Sequence, residues 1–308
     1  MSLQSQAALP PLLLSAKELA KLVSSANPPR ILDATWCLPV PGQPARDAHA
    51  EYLKGPRIPH ALFWDVNKIA TIGESVQNLP HMMPSAARFA EAARQFGIRR
   101  DTHVVVYVRC TYLHRTRMGE PIDTETLQED PTVEAAEYAE PKLQDGWIRS
   151  FEEMLANTNA GYRSQVVLDA RPQARYDGTE PEARPGLASG HIPGSKSLPF
   201  SDLLQKITAQ DSRIAGQVYT AVKQQPELWK RVNDAVGGSE GIDKLRHDGS
   251  SGGSLGVSLS CGSGMTASVL WLALQQLGIN AAIYDESWMG WGRRAAEGQA
   301  PVEKTSSS

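Results

Sequence analysis

Arg30-Ile31-Leu32-Asp33-Ala34-Thr35 returns later in the chain as Val166-Val167-Leu168-Asp169-Ala170-Arg171. A second pair follows at nearly the same separation: Arg57-Ile58-Pro59-His60-Ala61-Leu62-Phe63 and His191-Ile192-Pro193-Gly194-Ser195-Lys196-Ser197. Two motifs repeated at one spacing mean one supersecondary unit present twice. In each copy an apolar run stops at Asp, which reads as a buried parallel strand ending at its C-terminal edge. Each Ile-Pro pair reads as a tight turn feeding a further strand, Ala61 to Trp64 and Ser197 to Phe200. With helical stretches between them, the fold class is α/β: two units, each a central parallel sheet flanked by helices.

The first copy continues into a helix over Pro84 to Phe96, with Phe89, Ala90, Ala93 and Phe96 at helical spacing and Gly97 where a C-cap belongs. Val104 to Val108 then reads as a central, doubly buried strand, matched in the second copy by Leu255 to Ser260. Beyond this point the copies diverge. The second has a loop, a helix over Met265 to Leu277 and a strand over Ala281 to Tyr284; the first has only the polar Arg109 to Arg117 and Met118-Gly119-Glu120-Pro121. Residues 12–118 are therefore expected to form an incomplete first domain, 119–149 a linker rich in acids and proline, and 150–296 the second domain. Ser150, with Glu153 three positions on, opens a helix to Asn157. An insertion in the second copy reads as two helical pieces, Ile214 to Gln224 and Glu227 to Val236, before a Gly/Ser-rich loop from Asp248 to Gly256. Residues 297–308 read as a disordered tail.

A chain of 308 residues suits two ordinary domains. Its formal net charge of -3 argues against nucleic acid as a partner. No apolar run approaches the roughly 20 residues that span a bilayer, so no membrane association is expected. Cys37, Cys110 and Cys261 are too scattered for a disulfide framework or a zinc site, and they point to a reducing compartment. Met1 to Ser15 carries no Lys or Arg, unlike a secretory or mitochondrial leader; the cytosol is the expectation, with mitochondria left open.

Chemistry concentrates at Leu259-Ser260-Cys261-Gly262-Ser263-Gly264-Met265-Thr266-Ala267-Ser268. A cysteine between a strand and a helix, flanked by glycines, can sit in a curl of backbone whose N–H groups point at one spot. An anion is stabilised there and a thiol ionises more readily, giving a nucleophilic thiolate. The alternative is an inert, buried cysteine beside a glycine turn. A cysteine phosphatase loop needs an arginine where this chain has Ala267, which argues against phosphate-ester hydrolysis. Arg175 and Arg184 bracket a polar, turn-rich loop and suit a carboxylate, unless they are simply solvated. His81, in Leu79-Pro80-His81-Met82-Met83-Pro84, reads from its setting alone as a structural loop histidine.

Cys-Gly-Ser-Gly-Met-Thr resembles the active-site loop of the mercaptopyruvate sulfurtransferases, two-domain members of the rhodanese family, whose usual loop has Val at the place of Met265. Thiosulfate-preferring relatives carry basic residues where this chain has Gly262 and Ser263. The resemblance implies a Cys261 persulfide, with Gly262, Gly264, Met265 and Thr266 lining the substrate. Arg175 and Arg184 match the outer arginines of Arg-x-x-Gly-Thr-Glu-Pro-Glu-x-Arg, which hold the substrate's carboxylate and keto oxygen. His81 matches the histidine that pairs with the loop serine, here Ser263, and with an acid whose place is taken by Asn67. Asn67 can orient an imidazole but cannot stabilise its cation by charge. Ser287, Trp288 and Trp291 match the closing Gly-Ser-Trp-x-x-Trp segment, with Glu286 replacing the glycine, and the two tryptophans are expected to pack beneath the loop. The family's helix and strand after Val108 are missing, so the first domain resembles a truncated one. The implied activity moves sulfur from a small-molecule donor, 3-mercaptopyruvate, to thioredoxin, another thiol or cyanide, with no cofactor and no metal. A thiosulfate-using rhodanese and a catalytically impaired paralogue are the alternatives.

Overall fold

The computed structural model describes residues 11–37, 42–108, 121–161, 165–208, 218–246 and 256–305. Cys110, His114, His247 and most of the Gly/Ser-rich loop lie outside these residues. In the first half, strands β1 (Arg30–Asp33), β2 (Leu62–Phe63) and β3 (Val104–Tyr107) form a parallel sheet in the order β2-β1-β3. The second half contributes β4 (Ile148–Arg149), β5 (Val166–Asp169), β6 (Lys196–Ser197), β9 (Val257–Ser260) and β10 (Ala282–Tyr284), parallel in the order β4-β10-β9-β5-β6. β1, β2 and β3 thus repeat β5, β6 and β9, and the first half has no described counterpart of β10 or β4.

The repeated Asp has one local job in both halves. Asp33 Oδ1 accepts the Thr35 N–H at 3.0 Å and Asp169 Oδ1 accepts that of Arg171 at 2.9 Å. A carboxylate that bonds the amide two residues on stops the strand and turns the chain. In the second half Arg171 adds a buried ion pair to Asp169 at 2.6 Å and another to Glu182 at 2.7 Å.

The second core is thicker. Val257 and Leu259 on β9 meet Leu270, Ala273 and Leu274 of the helix Ala267–Gln276 and Leu228 and Val232 of the helix Gln225–Val236. The 151–159 helix carries the full capping box at Ser150 and Glu153, as its sequence predicts.

Three expectations change. The run Val104 to Val108 is not a doubly buried central strand: Val106 is 60 % exposed, Val108 is exposed, and only Tyr107 is buried. Among the described residues β3 pairs on one side only, with β1. The first insertion piece is not a helix where it is described, because Val218–Val222 is a strand, β8, paired antiparallel with β7 (Leu204–Thr208). Its Val-Tyr-Thr-Ala-Val run is β-branched and aromatic, which favours a pleated surface. The tail is ordered through Thr305: Glu303 exchanges backbone hydrogen bonds with His191, and Trp291 Nε1 donates to Pro301 O at 2.8 Å.

The segment 121–146, expected as a linker, is extended and lies along the first half. Asp123 pairs with the buried Arg57 at 2.7 Å, Leu127 N donates to Leu53 O, and Val133 and Tyr138 cover the cluster of Leu32, Leu62, Ala93 and Ile98. The two halves meet through Leu79 and Met82, packed on Met289, and through Arg293 Nη1, which donates to Gln77 O at 2.9 Å. That contact carries the 79–83 turn to the mouth of the second sheet.

Candidate active site

Cys261 leaves β9 at its C-terminal edge, the end of a parallel sheet where ligands bind in this architecture. Its side chain is enclosed, with 1 % exposure. The loop then runs through Gly262 to Thr266 before the helix begins at Ala267. Gly264 has φ +85, and a Cβ there would sit 3.4 Å from Asp285 O, so a side chain is strained. Gly262 has no such demand, and a Cβ there meets nothing within 4 Å.

The loop N–H groups do not all converge on the thiol. Those of Cys261 and Gly264 donate to Ser287 Oγ at 3.2 and 3.1 Å, and Ser287 Oγ itself donates to Tyr284 O at 2.9 Å. The loop carbonyls are held from the same place: Trp288 N donates to Cys261 O and Met289 N to Gly262 O. The N-terminal turn of the helix Ser287–Ala296 therefore shapes the loop from below, a role for Ser287 that the closing motif alone did not indicate.

From the other half, His81 Nδ1 lies 3.0 Å from Ser263 Oγ. The backbone at His81 is left-handed, φ +62, and the Trp36 ring meets the imidazole edge-on at 5.0 Å. Burial, reinforced by the charge of Arg184, holds the imidazole below its ordinary pKa, so it is neutral at pH 7. Asn67 makes no hydrogen bond to His81 among the described residues. Its side chain is exposed, and its N–H donates to Asp65 Oδ1 at 3.0 Å.

Arg184 is exposed; its Nη1 donates to Met289 Sδ, beside the same interface. Arg175 is half-buried on the short helix Gln173–Asp177, and its charge is felt by Glu182. Burial lifts the Glu182 carboxyl above its ordinary range against the pull of Arg171 and Arg175. Neither Arg175 nor Arg184 is in an ion pair among the described residues, which leaves both guanidinium groups available to an anion. Met265 and Thr266 are half-buried in the loop.

Two further groups belong to the site. Arg171 lies with its guanidinium 4.2 Å from the Trp288 ring and donates to Gly190 O at 2.8 Å, pinning both ends of the segment that carries Arg184. Asp285 accepts the Met83 N–H on both oxygens, at 2.9 and 3.1 Å, and burial raises its carboxyl to about 6. The only sequence signal for Arg171 is its place at the end of the repeated motif; Asp285 and Met83 have none that would pair them.

Two parallel-sheet units thus place one cysteine loop opposite a histidine across their junction. No family model matches the chain. It is 33 % identical over 305 residues to a probable 3-mercaptopyruvate sulfurtransferase of Schizosaccharomyces pombe, with 91 % of each chain covered. It is 30 % identical over 296 residues to the 3-mercaptopyruvate sulfurtransferase of Escherichia coli K12, covering 89 % of this chain and 92 % of that one. The crystal structure of the Tum1 protein from Saccharomyces cerevisiae superposes with a TM-score of 0.73 at 26 % identity, over 97 % of this chain and all of that one. The chain belongs to the 3-mercaptopyruvate sulfurtransferase family.

Proposed function

We propose that this chain takes sulfur from 3-mercaptopyruvate onto Cys261 and passes it to a thiol or cyanide, releasing pyruvate. The observation that carries the reading is the 3.0 Å contact of His81 with Ser263 across the two halves, two residues along the loop from Cys261. The contact supports a proton relay that reaches the loop of the proposed nucleophile.

The Cys261 thiol first gives up its proton to the neutral His81 through Ser263. The thiolate attacks the substrate sulfur; an S–S bond forms, the C–S bond breaks, and its electron pair stays on carbon as the pyruvate enolate. The proton parked on His81 returns through Ser263 to that carbon, so the half-reaction is balanced. Arg184 and Arg175 hold the carboxylate end, and the N–H groups of Gly262, Met265 and Thr266, unpaired among the described residues, stabilise the persulfide, which becomes an anion as the proton inherited from the substrate thiol passes to solvent. An acceptor thiolate then attacks the outer sulfur and regenerates Cys261; thioredoxin is one acceptor of this chemistry. Residues 12–118 supply His81 and residues 150–296 the nucleophile, with the reducing interior of the cytosol or a mitochondrion as the setting. One relative, from Arabidopsis thaliana, is named as mitochondrial.

The test is incubation with mercaptopyruvate and cyanide, reading thiocyanate, beside the same assay with thiosulfate. Mercaptopyruvate is expected to be preferred, because the positions after Cys261 carry no charge. Losing one charge-assisted contact costs roughly 1.5–3 kcal/mol, so Arg184→Ala should lower kcat/KM for mercaptopyruvate by about 10- to 150-fold. Better turnover of thiosulfate, or an unimpaired Arg184→Ala, reassigns the donor; no turnover of either donor points to the impaired paralogue.

A further inference from the structure

The junction between β10 and the last helix touches both partners of the proposed chemistry. Ser287 is fully buried, and its hydroxyl uses one donor and two acceptor positions, on Tyr284 O and on the N–H groups of Cys261 and Gly264. Its backbone is left-handed, φ +49, a conformation a non-glycine residue keeps only where its surroundings over-determine it. Two residues earlier, both carboxylate oxygens of Asp285 hold the Met83 N–H, and Met83 lies two residues beyond His81.

We propose that Asp285-Glu286-Ser287 is a clamp that sets the His81–Ser263 pair against Cys261, with Asp285 and Ser287 acting as positioning residues for sulfur transfer. The clamp rests on the reading of Cys261 and His81 given above. Its reference frame is rigid: β10 pairs with β9, the strand that ends at Cys261, and with β4 on its other side. Ser287 fixes the nucleophile's loop to that frame, and Asp285 fixes the loop that arrives from the first half. Asn67 cannot do the second task, since its exposed side chain makes no contact with His81 among the described residues. The acid that organises the His81 turn is therefore supplied by the opposite half, acting through the Met83 amide. Glu286, between the two anchors, faces away into an ion pair with Arg294.

Three readouts separate positioning from bulk stability: the pH profile of Cys261 alkylation by iodoacetamide, kcat against KM with mercaptopyruvate, and the thermal midpoint. Ser287→Ala strands two buried N–H groups and releases the loop. Its alkylation profile should move to higher pH by about one unit, and kcat should fall about 10- to 100-fold with KM little changed. Ser287→Cys, a weaker acceptor of similar size, should recover part of both. Asp285→Ala should leave the alkylation profile in place and lower kcat about 10-fold, whereas Asp285→Asn, whose amide oxygen still accepts the Met83 N–H, should restore most of it.

A folded Ser287→Ala with the wild-type alkylation profile and kcat overturns the clamp, as do Asp285→Ala and Asp285→Asn of equal activity. If Ser287→Ala does not fold, the Asp285 pair decides alone. The alkylation arm needs no sulfur donor. A shifted profile in a protein inactive on mercaptopyruvate therefore supports the Ser287 anchor while refuting the assigned substrate.

Discussion

β3 reads Val-Val-Val-Tyr and β9 reads Val-Ser-Leu-Ser, yet β9 is wholly buried and β3 is mostly not. The less apolar strand is the better buried one. β9 lies between β5 and β10 and beneath the helix Ala267–Gln276, so both its edges and its faces are taken. β3 has β1 on one edge and, among the described residues, nothing on the other, leaving Val106 in solvent. Burial is conferred by neighbours, and a strand's own composition states only what it can tolerate. The half in which β9 is paired on both sides carries the nucleophile and its loop; the other contributes the stretch 76–83 to the junction.

This contrast is broken most sharply at the two described cysteines. Cys261→Ser should abolish transfer and remove the adduct of about 32 Da (one sulfur) expected after exposure to donor, while Cys37→Ser, in the first half, should keep both. Persulfide found by mass spectrometry on Cys37 instead would remove the asymmetry of function. Next in size is the packing difference. Leu259→Ala, at a fully buried site, should cost about 2–5 kcal/mol in urea unfolding, and Val106→Ala no more than about 0.5 kcal/mol. Equal losses would mean that β3 is covered after all.

Hydrogen exchange compares the halves without mutation. Amides of 104–107 should exchange faster than those of 257–260, and limited proteolysis should cut first within 121–142, with the fragment from about Phe151 persisting. One cooperative transition with equal protection would show that the segment packed along the first half protects β3 as well as flanking strands protect β9.

The smallest effect is at the junction. The Asp285 carboxyl rises from 3.8 to about 6 in the folded protein, chiefly through burial. Below about pH 4 both folded and unfolded chains hold this proton and it contributes nothing. Between about 4 and 6 only the folded chain holds it, so stability falls as pH rises, and above about 6 the loss is complete. His81, held below 6.5, acts in the opposite sense, its contribution growing as pH approaches 6.5 from below. Asp285→Asn should erase the falling limb and leave the rising one in a plot of thermal midpoint against pH. An unchanged plot would show that Asp285 is not the group responsible.

The sequence by itself determined the doubled unit, the Asp that ends β1 and β5, the capped helix at Ser150, and the cysteine loop. Each is written in neighbouring residues: a β-branched run, a capping box, a glycine whose left-handed backbone admits little else. Tertiary structure alone decided which of two similar strands is central, that Val218–Val222 pairs as a hairpin, and that 121–146 packs along the first half. It also decided that Ser287 and Asp285 reach, across long separations in the chain, the loops of Cys261 and His81. Those contacts are set by where whole sheets and helices come to rest, and no local pattern of residues encodes the distance between them.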